Sequence, residues 1–120
     1  MKKVLYICIS IILIYSIINQ NYEKPESFSY DQHYTLYKEG VSGGKTDGFK
    51  NNTIKIVNNK YQAIKVAKKE LTIEYNQVEV FYDEKSSMWM VAFWNDEAFD
   101  QSQNIYIDSN GLTKLIVYGG

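Results

Sequence analysis

Few side chains in this 120-residue chain have the makings of a reactive centre. It has one histidine, His33, and one cysteine, Cys8. A general base must sit within hydrogen-bond reach of the proton it takes. His33 stands between Gln32 and Tyr34 in a polar stretch, where a solvated ring is the default reading. Cys8 falls inside an apolar run, so thiol catalysis is not expected. One cysteine permits no intrachain disulfide, and Cys8 with His33 cannot fill a four-ligand zinc site. Asp83, Glu84 and Asp96 offer carboxylates for glycoside chemistry, but that chemistry requires a set separation that sequence does not supply. Asp96, Glu97 and Asp100 share one loop and could present oxygens to a hard cation such as Ca²⁺. They lack the Asp-x-Asp-x-Asp-Gly order and its turn glycine, so they read as a solvated acidic loop. Gly40 to Thr46 resembles a phosphate loop, but the first glycine of that motif would fall on Glu39, and Asp47-Gly48 and Asn51-Asn52 follow instead of a helix. A flexible linker is the better reading. The expectation is therefore no catalytic cluster, no metal and no cofactor: a protein that is not an enzyme.

Charge points the same way. The net charge is -1, and all thirteen cations are lysine. A phosphate-reading surface usually carries arginine, whose planar fork pairs phosphate bidentately, so no nucleic-acid partner is expected. Eleven tyrosines and two tryptophans favour strands and half-buried surfaces over disorder.

The stretch that must organise any site is Met88 to Trp94, seven uncharged residues between Ser86-Ser87 and Asn95-Asp96. This reads as a central strand bounded by turns. Alternation places Trp89, Val91 and Phe93 on one face and Met88, Met90, Ala92 and Trp94 on the other. Both faces are apolar, so each needs a cover. Asn58 or Asn59 can cap a helix running from about Lys60 to Tyr75, with Tyr61, Ile64, Ala67, Leu71 and Tyr75 in one apolar stripe. Thr53 to Val57 reads as a short strand before it. Val78, Val80 and Tyr82 alternate in a strand, Ile105 and Ile107 mark another, and Leu112 to Tyr118 is the last, entered through Ser109-Asn110-Gly111. An Asn-Gly pair tolerates the positive φ of a tight hairpin. Hairpin connections make neighbours antiparallel. The predicted fold class is α+β: one main helix on a four-stranded antiparallel meander, over residues 53–120.

Ahead of this domain, Lys2 and Lys3 precede an apolar run from Val4 to Ile18. A positive start and an apolar stretch make an export signal. No small-residue cleavage site follows, and fifteen residues fall short of the roughly 20 of a full span. Residues 1–20 are expected to be an uncleaved membrane anchor, with a cleaved signal peptide and secretion as the alternative. Positive-inside logic places the remainder outside the cytoplasm. Residues 21–52 are polar, with Pro25 and four glycines, and read as a stalk or lead-in. Tyr30, Tyr34 and Tyr37 have helical spacing there.

Several short patterns coincide with known families. Ala63-Ile64-x-x-Ala67 on a helix, Trp89-x-Val91 in mid-sheet, and Ile105-Tyr106-Ile107-Asp108-x-Asn110-Gly111 before a final apolar strand resemble the PepSY domain. They are also similar to bacterial immunity proteins of the nuclear-transport-factor-two-like fold. The resemblance covers about residues 60–118. Gln101-Ser102-Gln103 stands where the immunity group shows a Gly-Gly pair, and Asp108 to Gly111 is one residue shorter than the PepSY turn. Either resemblance implies a non-enzymatic module that binds something.

Three functions compete on these grounds: an extracytoplasmic protein-binding module, immunity-like; a PepSY-like inhibitor or modulator of an envelope protease; and a small ligand-binding or enzymatic cone-shaped domain. The first is the leading expectation. Its partner surface is placed on the sheet face away from the main helix, from Met88, Met90, Trp94, Phe81, Tyr106, Ile116 and Tyr118. The alternative for that face is a cover from the lead-in, through Phe28, Tyr30, Tyr34 and Tyr37.

Overall fold

The structure is a computed structural model in which residues 24–37, 44–46, 56–98 and 101–119 are described. In chain order the elements are β1 (Glu26–Ser27), α1 (Tyr30–Tyr37), β2 (Gly44–Thr46), α2 (Lys60–Ala67), β3 (Gln77–Asp83), β4 (Met88–Trp94), β5 (Ser102–Asp108) and β6 (Thr113–Gly119). The Val4–Ile18 run and residues 53–55 of the expected first strand lie outside the described residues. Among the described residues no helix is long and apolar enough to cross a membrane.

The fold is α+β, and its sheet is larger than a four-stranded meander. β3, β4, β5 and β6 pair antiparallel in chain order, as hairpin spacing requires. Two short strands from the lead-in extend this core, giving the order β1-β3-β4-β5-β6-β2. β1 pairs parallel with β3 and β2 antiparallel with β6, so the sheet is mixed.

The strand phase of β4 follows the alternation of its sequence. Trp89, Val91 and Phe93 pack with Ala63, Val66 and Ala67 of α2, joined by Ile64 and Leu71. Met88 and Met90 point to the opposite face. Asn59 caps α2, its side chain accepting from Gln62 N–H at 3.0 Å, while Gln62 Oε1 accepts from Asn58 N–H at 2.6 Å.

The main helix is shorter than its apolar stripe. α2 ends at Ala67, a 3-10 turn covers Lys68–Glu70, and Leu71 is extended. The cause lies on β5. Gln103, fully buried, accepts from Thr72 N–H at 3.0 Å and donates through Nε2 to Glu70 C=O at 3.0 Å. These are backbone groups that a continuing helix would have used on its own turns. Leu71 and Tyr75 still reach the core, from an extended segment, while Tyr61 at the other end is 47 % exposed.

The last hairpin departs from a two-residue turn. Asp108 and Leu112 close it, with Asp108 N–H donating to Leu112 C=O at 2.9 Å, and only Gly111 takes a positive φ, at 79°. This matches a three-residue loop ending in a left-handed glycine. Asp108 Oδ1 accepts from Asn110 N–H and Leu112 N–H, both at 2.9 Å. Beyond the turn, Ile107 pairs with Thr113 but Tyr106 pairs with Leu115, so Lys114 is an extra residue, a β-bulge.

Candidate functional site

The bulge decides which residues share the outer face. Partners across an antiparallel pair point to the same side. Without an extra residue, Tyr106 would share its face with Lys114, Ile116 and Tyr118. With Lys114 bulged, every later side chain of β6 changes sides. Ile116 therefore pairs with Ile105, which pairs with Val91, and all three lie under α2. Tyr118 likewise packs against the α2-side core. The placement of Ile116 and Tyr118 on the outer face is thus corrected. Leu115 and Val117 take their positions there beside Met88, Met90 and Tyr106, with Phe81 at the border.

This outer face is covered by the lead-in. Phe28, Tyr30 and Tyr37 pack on it, and Met88, Met90 and Tyr106 are buried. Tyr34, expected in the same contact, turns outward but stays near Tyr30, with ring centroids 5.8 Å apart. Trp94, at the end of β4, is half-buried.

The cover itself is slight. α1 has eight residues and none is fully buried. Leu36 is 60 % exposed and, with Asp31, Gln32 and Thr35, lines a shallow surface groove. Polar contacts from β3 and β5 help to hold the helix. At its start, Tyr30 N–H donates to Asp83 Oδ2 at 3.0 Å, so a carboxylate 53 residues away satisfies one of the free donors of the first turn and suits the helix dipole. The same carboxylate accepts from Ser86 O–H at 2.6 Å and Lys85 N–H at 3.1 Å, binding the β3–β4 turn into the arrangement. The Ser86 hydroxyl, followed by the backbone donors of Tyr30, Lys85 and Ser86, holds the Asp83 carboxyl below its ordinary range, against the opposing effect of burial.

In mid-helix, His33 Nδ1 lies 2.5 Å from Tyr106 Oη. The His33 ring stands edge-on to Phe28 and Tyr106, with centroids 5.3 and 5.6 Å away. Burial pushes the Tyr106 phenol well above its ordinary value, helped by Tyr37 and Tyr30, so it stays protonated. Burial also lowers the His33 pKa and favours the neutral ring, whose tautomer decides which of the two groups donates. The sole histidine, expected in solvent, is instead the polar centre of the cover.

The other candidate groups are drawn into structure or kept apart. Asp96 Oδ1 accepts from Asn76 Nδ2 at 2.5 Å, and Asp96 N–H donates to Asn76 Oδ1 at 3.1 Å, closing one end of the β3–β4 pair. Asp83 is at the other end, six strand steps or about 20 Å away, beyond the reach of a two-carboxylate glycosidase. Asp100 lies outside the described residues, and among those described no group of three or more His, Cys, Asp or Glu could hold a metal ion.

Compared with protein-family models, with curated proteins and with solved structures, the chain gives no match.

Proposed function

We propose that this protein is a membrane-tethered, extracytoplasmic, non-enzymatic module that binds a protein partner in the manner of an immunity protein. One observation carries the reading. The outer sheet face is a continuous apolar surface of Phe81, Met88, Met90, Tyr106, Leu115 and Val117, and its cover is an eight-residue helix with no fully buried side chain. Methionine and aromatic side chains of this kind are enriched at interface centres. The Lys2, Lys3 and Val4–Ile18 pattern supports the tether and its orientation.

A photo-crosslinking residue in place of half-buried Trp94, at the end of this face, is the test. Illumination of intact cells should give one discrete heavier species, and protease added to the same cells should digest the domain. A chain that crosslinks only to itself, or that is protected until lysis, would contradict the reading.

A second reading, modulation of an envelope protease, is supported by the rim of β3. Gln77, Val78 and Glu79 are exposed there, beside a groove of about 330 Å³ that Tyr61 and Ile64 of α2 also line. An exposed strand edge is a template for an added strand. The full-length protein, added to envelope fractions, should slow or redirect proteolysis if this reading holds.

A further inference from the structure

We propose that the exposed side of α2 is a membrane-contact surface: its lysines and Tyr61 lie on the anionic lipid headgroups of the bilayer that holds the anchor, and the opposite, α1-covered face of the sheet points away from the membrane. The proposal rests on reading Val4–Ile18 as that anchor, and goes beyond it by fixing which way the tethered domain faces.

The length of chain between anchor and domain is the first argument. Residues 19–23 separate Ile18 from Lys24. Six Cα steps reach at most about 22 Å in any conformation, so Lys24 is held close to the bilayer. Lys24 shares the groove at the β3 rim with Val78 and with Lys60 and Tyr61 at the start of α2. A tether this short keeps these surfaces at high local concentration against the lipid, and weak contacts then suffice to set the orientation.

Charge decides which surface turns to the lipid. α2 buries Ala63, Val66 and Ala67 against the sheet. Tyr61, Lys65 and Lys68 follow one another at helical spacing on the opposite side, and all three are exposed, as is Lys69. From Lys60 to Lys69 there are four lysines and no carboxylate, in a chain whose net charge is -1. Glu26 and Glu79 stand at the groove with Lys24 and Lys60 and offset those two cations. Lys65, Lys68 and Lys69 are the surplus; Glu70, next along the chain, is half-buried. Lys68 stands 5.5 Å from the centre of the Tyr75 ring and keeps its charge there. Lysines are drawn to anionic headgroups within about a Debye length, and tyrosine favours the headgroup level, where its ring is apolar and its hydroxyl wet. Tyr61 is 47 % exposed at that place. α1 offers no such pattern: it carries Asp31 and no lysine. Because the sheet lies between the two helices, lipid under α2 leaves the outer face toward the aqueous side, where a partner reaches it.

The full-length protein assembled in lipid nanodiscs tests this. One set of discs is phosphatidylcholine alone, and a second contains phosphatidylglycerol. Both carry a lipid with a gadolinium-chelating headgroup, which broadens amide resonances near the bilayer surface. In the phosphatidylglycerol discs, residues 60–69 should broaden several-fold more than residues 30–37. The difference should shrink in the neutral discs and in high salt, which screens exposed charges. Lys65→Gln combined with Lys68→Gln and Lys69→Gln should abolish it in a protein that still melts cooperatively. Equal broadening of the two helices, or stronger broadening of α1 through exposed Leu36, would overturn the proposal. So would an α2 effect that is the same in both discs and indifferent to salt and to charge removal. A chain that does not enter the discs would overturn the anchor and this proposal with it; one that enters without broadening of α2 overturns the proposal alone. No readout involves a partner, so a failed crosslink at Trp94 is a separate result.

Discussion

Asp83 and Gln103 each bond backbone groups far from themselves in sequence, and neither role could be read from its neighbours. Asp83 was visible as a turn residue and a spare carboxylate; that it receives the first N–H of α1 depends on β1 lying parallel to β3. Asp83→Asn leaves an acceptor but removes the charge. It should cost about 1–2 kcal/mol at pH 7, since hydrogen bonds to ionised groups are worth more than neutral ones. The difference from wild type should vanish as pH falls below 3.8 through the depressed native value, where the wild-type carboxyl protonates too. Urea unfolding at pH 7 and pH 3 checks both parts. Gln103 stands on the apolar side of a strand whose other inward residues are Ile105 and Ile107. Its polarity looks misplaced until Thr72 N–H and Glu70 C=O are found at its amide. Gln103→Leu keeps the volume and strands both groups, and should cost about 1–3 kcal/mol by urea denaturation. The single histidine gave no signal in sequence, because a polar flank describes a buried ring and a solvated one equally well.

Among the elements, β4 was legible throughout, since seven uncharged residues between turns leave little choice of boundary or phase. The meander of four long strands was legible for the same reason. The C-terminal half of the predicted helix was not: periodicity at Leu71 and Tyr75 records only that they face the core, and extended chain reaches it as well as helix. The tail of β6 was misread by one residue, and one residue inverts a strand. Lys114 is that residue. Its deletion should give an unbroken hairpin in which Leu115 follows Thr113 directly, so that Leu115 and Val117 stay on the outer face and Ile116 stays under α2. The expected result is a cooperative thermal transition that survives, as it should in Lys114→Ala, which keeps the bulge and should melt within a few degrees of wild type. Loss of the cooperative transition in the deletion alone would show that Lys114 is not the extra residue of the strand.

At the scale of the molecule, the domain is a sheet with covers of unequal strength. α2 and the segment after it bury one face with a dense aliphatic and aromatic core, and α1 with Phe28 lies across the other. That β4 needed two covers was evident from its sequence; that the second came from the polar lead-in was one of two open alternatives, because Tyr30, Tyr34 and Tyr37 show helical spacing without showing what they touch. The account depends on this second cover being in place at neutral pH, and the methionines report on it directly. The chain has three, and two of them, Met88 and Met90, lie beneath the lead-in aromatics. With ¹³C-labelled methionine methyls, two of three resonances should be displaced by ring currents and show cross-relaxation to the rings of Phe28, Tyr30 and Tyr37. Methyls of Met88 and Met90 at the shifts of exposed methionine, without contacts to those rings, would contradict the covered face and the function built on it.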